Sequence, residues 1–439
     1  MSRIPARPVA VVAAASLALL VAGGVWGLRT GGGAAAEPGQ DRPVAVSAVD
    51  RLTASIDRAQ QRLAAVPGDH PTWAALGMAY LERARITADP SYYPKAEGAL
   101  RRSLALRPHD NADAMAGLGA LANARHEFTQ ARDWARKALR INPYDADSYA
   151  VLADAYTQLG QAAAATAAVQ RMLDLRPGLP AYARASYDLE QRGQLTPARE
   201  LLDRALATAV DASDVAFCRY HLGELAWNSG DLDTAEREYA AGFAADPTYL
   251  PLQEGRARVA AARGRTAAAI AGYADLTART PTPANLLAYA DLLRASGRAT
   301  EADAQLALAD AAHKLFLANG GTDNLAGAAL AIAQGQPDAA LRLAQQEWQR
   351  RQHADVADLM AWTLNLAGRH AEARTYALRA AATGARNAAY AYHLGLIERA
   401  LGNRDAARRH LARAMAINPH FSPVDAPLAA KALAELGES

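Results

Sequence analysis

Residues able to do chemistry are scarce in this chain and poorly placed for it. His126 and Glu127 are adjacent, but no second histidine shares their helical face, so the His-Glu-x-x-His zinc arrangement is missing. No glycine-rich loop leads into a Lys-Ser or Lys-Thr pair, as a phosphate cradle requires. The ten histidines are scattered, mostly at turns or exposed helix positions, where solvation or capping suits them better than metal ligation. The one cysteine, Cys218, lies between Phe217 and Tyr220 and reads as a buried, inert thiol. A lone cysteine excludes a disulfide framework and any multi-cysteine metal site. The formal net charge is +2, which excludes the basic field of a general nucleic-acid binder. The expectation is a chain with no catalytic residues, no cofactor, no metal and no small-molecule substrate.

The elements around these residues are helices in a repeating pattern. Hydrophobic residues make up 51% of the sequence, too many for a disordered chain, and alanine dominates them, which favours helix. Trp73, Leu76, Gly77 and Tyr80 stand at offsets 0, 3, 4 and 7, one stripe of a helix. Ala96, Leu100, Ser103 and Pro108 form a second stripe that the proline ends. The pair recurs as Met115, Leu118, Gly119 and Ala122 before Ala131, Ala135, Ala138 and Pro143. It recurs again as Tyr149, Leu152, Ala153 and Tyr156 before Ala165, Val169, Met172 and Pro177, with the last two prolines 34 residues apart. Weaker copies continue in phase to Leu394, Gly395, Ala407, Leu411, Ala414 and Pro419. Gly160, Gly193, Gly230, Gly264, Gly297, Gly335, Gly368 and Gly402 each stand five residues before the small residue of a second helix. A glycine there can take positive φ and close the first helix.

This pattern resembles the tetratricopeptide repeat (TPR) family, over roughly residues 48–420. The resemblance implies an all-α solenoid of about ten helical hairpins in a right-handed superhelix. A half-unit from Ile56 to Pro67 is expected to cap the amino end, and a helix from about Pro427 to Leu436 the carboxyl end. Two irregularities interrupt the phase. Seven extra residues around Thr87–Pro94, including Tyr92 and Tyr93, are expected to protrude as a loop. An excess at Leu317–Asp323 is expected to lengthen a second helix, stop it at Gly320 and Gly321, and leave a modest hinge between two arms.

Ahead of the repeats, residues 9–28 carry no charge and are flanked by Arg3, Arg7 and Arg29. Twenty residues of helix span about 30 Å, a bilayer core. Residues 1–36 read as either an uncleaved membrane anchor or a signal peptide cut near Ala34 and Ala36. Residues 37–47 read as a tether and 48–439 as the solenoid. Either reading puts the body outside the cytoplasm.

The resemblance also implies a concave groove lined by the first helices, which takes a protein or peptide partner. At the positions facing that groove stand Asp154, Tyr187, Glu190, Tyr220, Glu224 and Trp227, with Glu254, Arg258, Arg294 and Trp362 further on. Aromatic and arginine side chains are common interface anchors, and Trp227 is the first choice among them. The lysines and asparagines of a chaperone-type carboxylate clamp are replaced by Ala74 and Met78, or Ala150 and Asp154. The sequence therefore points to a non-enzymatic, partner-binding scaffold facing the extracytoplasmic side, which assembles or regulates an envelope complex. An accessory subunit of a membrane transporter or enzyme is the alternative.

Overall fold

A computed structural model describes residues 48–437. The expected anchor and tether, 1–47, lie outside the described residues. Among the described residues there are 22 helices and no strand. None is long and apolar enough to cross a membrane.

The first helix, α1 (Ala48–Ala65), stands alone ahead of the hairpins. Ten hairpins follow. Units 1 to 3 are α2 (His70–Thr87) with α3 (Tyr92–Leu106), α4 (Ala112–Ala124) with α5 (Phe128–Ile141), and α6 (Ala146–Gln158) with α7 (Ala162–Leu175). Units 4 to 6 are α8 (Leu179–Glu190) with α9 (Leu195–Ala207), α10 (Ala212–Asn228) with α11 (Leu232–Ala245), and α12 (Pro251–Ala262) with α13 (Thr266–Arg279). Units 7 and 8 are α14 (Pro283–Ala295) with α15 (Ala299–Ala318), and α16 (Asn324–Ala333) with α17 (Pro337–Arg350). Units 9 and 10 are α18 (Ala354–Leu366) with α19 (His370–Ala381), and α20 (Ala388–Ala400) with α21 (Arg404–Ile417). A last helix, α22 (Asp425–Gly437), caps the array. The repeat phase expected from the sequence is therefore the phase of the hairpins.

Each hairpin follows from short-range chemistry. Most first helices open on a side-chain cap: Asp69, Asn111, Asp145, Asp211, Thr282, Asp323 and Asn387 each accept a bond from a backbone N–H of the first turn. The second helix presents its small residue where the two helices cross. Ala131, Ala165, Ala198, Ala235, Ala269 and their equivalents are at most 1% exposed. The turn glycines take φ of +72° to +80°. Unit 2 breaks that rule, because His126 occupies the position with φ +61°. A left-handed non-glycine costs about 1 kcal/mol or more. Ring contacts offset it: His126 stacks on Phe128 at 5.5 Å and meets Phe316 at 5.3 Å.

Phe316 belongs to unit 7, and its arrival beside unit 2 reveals the long-range architecture. The superhelix winds back onto itself with a period of about five units. The turn of unit 2 meets the loop after unit 7: Thr322 N–H donates to the Arg125 carbonyl at 2.9 Å and Thr322 Oγ1 to Glu127 at 2.6 Å. The turn of unit 3 meets the loop after unit 8, where Arg351 donates to Gln158. The turn of unit 4 meets the loop after unit 9, with Gly193 against the Gly384 carbonyl. The turn of unit 5 meets the loop after unit 10, where Asn418 Nδ2 donates to the Trp227 carbonyl at 2.8 Å. Main chain touches main chain along this seam. A Cβ on Gly160 would overlap the Gln352 carbonyl oxygen, whereas a Cβ on Gly264 would meet nothing.

Both irregularities in the repeat lie at this seam. The extra residues after Trp73 do not form a protruding loop. They extend α2 to Thr87, close it with Ala88 at φ +51°, and start α3 at Tyr92. Tyr92 lies 6.1 Å from Tyr80, and Tyr93 meets Phe316 edge-on at 6.2 Å. The apolar rings bury themselves against neighbours instead of standing in water. The second excess does lengthen α15, to 20 residues, and Gly320 ends it at φ +84°. The segment beyond is pinned to unit 2 at Arg125 and Glu127 rather than left free as a hinge.

This geometry separates two glycines that look alike in sequence. Gly264→Ala should cost about 1 kcal/mol, the left-handed penalty alone. Gly160→Ala should cost at least twice as much and loosen the seam, because the new methyl strikes a carbonyl. Thermal unfolding compares the two costs, and hydrogen exchange at 351–356 reads the seam. Equal costs with unchanged exchange would rule out the seam contact.

Candidate functional site

Winding encloses a cavity of about 1520 Å³ along the superhelix axis. Its wall is built from α1, the first helices of units 1 to 8, and the long second helix α15. At the amino ends of the first helices the lining is acidic, with Asp113, Asp147, Asp211, Asp214 and Glu254, and Asp246 at the end of α11 adds to it. Further along α10 the lining is Phe217, Tyr220 and His221. His221 contacts Phe217 edge-on at 4.4 Å and Tyr220 at 5.1 Å. Burial lowers its pKa to about 4, so it stays neutral near pH 7. The lining also has apolar members, Met78 of α2 and Leu308, Ala311, Ala312 and Leu315 of α15.

Three of the ten residues expected at the groove line this cavity: Asp154, Tyr220 and Glu254. Tyr187, Glu190, Glu224, Trp227, Arg258, Arg294 and Trp362 stand outside it, and all but Tyr187 contact a neighbouring unit. Asp154 holds Arg184 of the next unit through two bonds of 2.9 Å. Glu224, 7% exposed, accepts from Tyr239 Oη at 2.5 Å and pairs with Arg258, whose guanidinium lies 5.1 Å over the Trp227 ring. Arg294 donates to the Ala333 carbonyl at 3.1 Å and to Asp303. Trp362 is buried and stacks on His393 at 4.4 Å. The charges read as a free surface are thus largely pairs that tie one unit to the next.

A second buried polar group sits near the carboxyl end, where His393 Nδ1 lies 2.9 Å from Asp358. Burial opposes the charge on His393, but Asp358 outweighs it and raises the pKa above the ordinary value. Nearby Asp425 is pushed up to about 6 by burial. Among the described residues no group of three or more His, Cys, Asp or Glu side chains is arranged to hold a metal ion. Cys218 is fully buried, and burial pushes its thiol up to about 12, so the sulfur is the inert one expected.

Sequence reasoning missed the α15 wall, because second helices of such repeats are expected on the outside. One signal was available: Leu308, Ala311, Ala312 and Leu315 follow helical spacing in a segment too long for its unit.

Glu190 supplies a pH test. Burial is the main influence and pushes its pKa up to about 7; the Asn228 bond at 2.9 Å opposes this and the Glu224 charge adds to it. Unfolded, the group titrates near its ordinary value of 4.5. Between those values the folded chain binds the extra proton, so stability falls as pH rises from about 4.5 to 7. Glu190→Gln should match the parent near pH 4 and exceed it by about 3 kcal/mol at pH 8. Denaturant unfolding at both pH values measures the gap. A gap independent of pH would remove the carboxyl as its cause.

Residues 146–178, which span α6 and α7, match the family model of the tetratricopeptide repeat. Among solved structures, a tetratricopeptide repeat protein from Parabacteroides merdae shares 17% identity over 60% of this chain and 98% of its own, with a TM-score of 0.43. A thermophilic TPR protein from Thermus thermophilus shares 22% over 44% and 98%, with a TM-score of 0.39. The human IFIT1 dimer shares 15% over 75% and 77%, with a TM-score of 0.45. No curated protein matches the sequence significantly. The third of ten like hairpins carries the tetratricopeptide repeat pattern, and the other nine share its helical-hairpin architecture.

Proposed function

We propose that this chain is a non-enzymatic scaffold that receives a segment of a partner protein in its axial lumen. The observation that carries this reading is the unpaired apolar wall: Leu308 and Leu315 are 53% and 51% exposed while lining the cavity. Large apolar side chains left open in a concavity mark an interaction site. The cavity also collects acids, which suits a protein partner and repels nucleic acid.

The body faces the extracytoplasmic side, held there by residues 9–28 or released after their removal, and it assembles or regulates an envelope complex. The uncharged run behind Arg3 and Arg7 supports this placement.

Two measurements test the reading. A reporter active only outside the cytoplasm, fused after Ser439, should be active; activity of a cytoplasm-only reporter there would refute the placement. Affinity capture from envelope extract should recover a discrete partner, and Leu308→Asp should reduce its recovery about ten-fold. Full recovery with Leu308→Asp would refute the lumen as the binding site.

A further inference from the structure

The lumen lining is apolar along α15 and acidic on the first helices, and the difference specifies its occupant. On α15, Leu308 and Leu315 stand two turns apart with Ala311 and Ala312 between them. Two exposed leucines flanking two small residues form the ridge and groove into which another helix packs. No helix of the described residues covers this face, since both leucines remain about half exposed.

The rest of the lining carries the charge. Most arginines at the lumen already face an acid. Arg85 pairs with Glu82 at 2.5 Å, Arg184 with Asp154, Arg51 with Asp211 at 3.8 Å and Arg351 with Glu347. Arg279 lies 3.7 Å from Asp275, which leaves Arg58 at the α1 edge. The acids are in surplus. Asp113, Asp214 and Asp246 line the lumen with no ion pair among the described residues. Glu254 has only Arg258, at 3.7 Å, and shares it with Glu224. The neutral His221 adds no positive charge there.

We infer that the occupant is an amphipathic helix of a partner protein, with leucine-like side chains on one face and basic side chains on the other. This inference rests on the lumen being the partner site. The apolar face packs on Leu308 and Leu315, and the basic face meets Asp113, Asp214, Asp246 and Glu254. The size agrees. A helix with its side chains is roughly 10–12 Å across and rises 1.5 Å per residue, so the cavity volume is comparable with that of roughly three turns. Helix-in-groove docking uses contacts at this spacing, and the charges set orientation and on-rate more than affinity.

The test uses the full chain in neutral-lipid nanodiscs, with empty nanodiscs as blank, and fluorescence anisotropy of three labelled peptides of roughly five helical turns. One carries lysine and leucine on opposite faces. The second replaces lysine by glutamate. The third scrambles the first so that no face forms. The lysine–leucine helix should bind about ten-fold or more tightly than either other peptide, and added salt should weaken it. Leu315→Asp and Asp113→Lys should each weaken it about ten-fold, while Leu378→Asp on an exposed face outside the cavity should not. Circular dichroism of each variant confirms that it is folded. Equal binding of the glutamate or scrambled peptide, still lost on Leu315→Asp, overturns the basic-helix inference and leaves the lumen as partner site. Binding that ignores Leu315→Asp, or no binding by any peptide, overturns both.

Discussion

The constraint on which this structure depends is main-chain contact between successive turns of the superhelix. A solenoid of helical hairpins needs only nearest-neighbour packing to exist. Here the curvature brings the turn of one unit onto the loop five units later, four times in succession. Each contact contributes little, about 1 kcal/mol for a hydrogen bond. Repetition in register makes the sum matter, and register demands that nothing protrude. Three of the meeting turns use glycine, so that carbonyl can approach backbone directly. The fourth uses His126, which takes the left-handed conformation and fills the contact with its own ring.

The same constraint explains the two places where the repeat departs from its period. A superhelix that closes onto itself has a step where the first turn begins and the second arrives. The longer α2 and the longer α15 both reach that step, and Tyr93 meets Phe316 there. In sequence these segments are merely surplus residues. Their meaning appears only when units 1 and 7 are seen to be neighbours.

What was legible in the sequence was whatever recurs within one unit. The stripes, the small crossing residues, the glycine turns and the ten hairpins all follow from spacing within about 34 residues. The seam was not legible, because Gly160 and Gly264 satisfy the same local rule and differ only in what lies against them. The polar residues of the first helices form an intermediate case. Glu224 pairs with Arg258 34 positions on, Asp154 with Arg184 30 on, and Asp358 with His393 35 on. Complementary charges one repeat apart are a signal that a single unit cannot show but the alignment of units can. Read singly, such residues resemble a solvated face; read against the next unit, they are ties between neighbours.

Closure also changes how the array responds to load. An open solenoid can fray unit by unit from either end, because each unit loses only one neighbour. In this chain, units 2 to 5 are held by their neighbours and by the units five further on. Loosening unit 8 or 9 therefore removes support from unit 3 or 4 as well. The later turns lack a third layer, and Gly264, Gly297, Gly368 and Gly402 face open space. Fraying should be easiest where only sequence neighbours hold a unit, and coupled where the seam runs. His126, Asp323 and Arg351 of the seam region also line the lumen. Stability of the seam and the form of the lumen wall there are then set by the same few contacts.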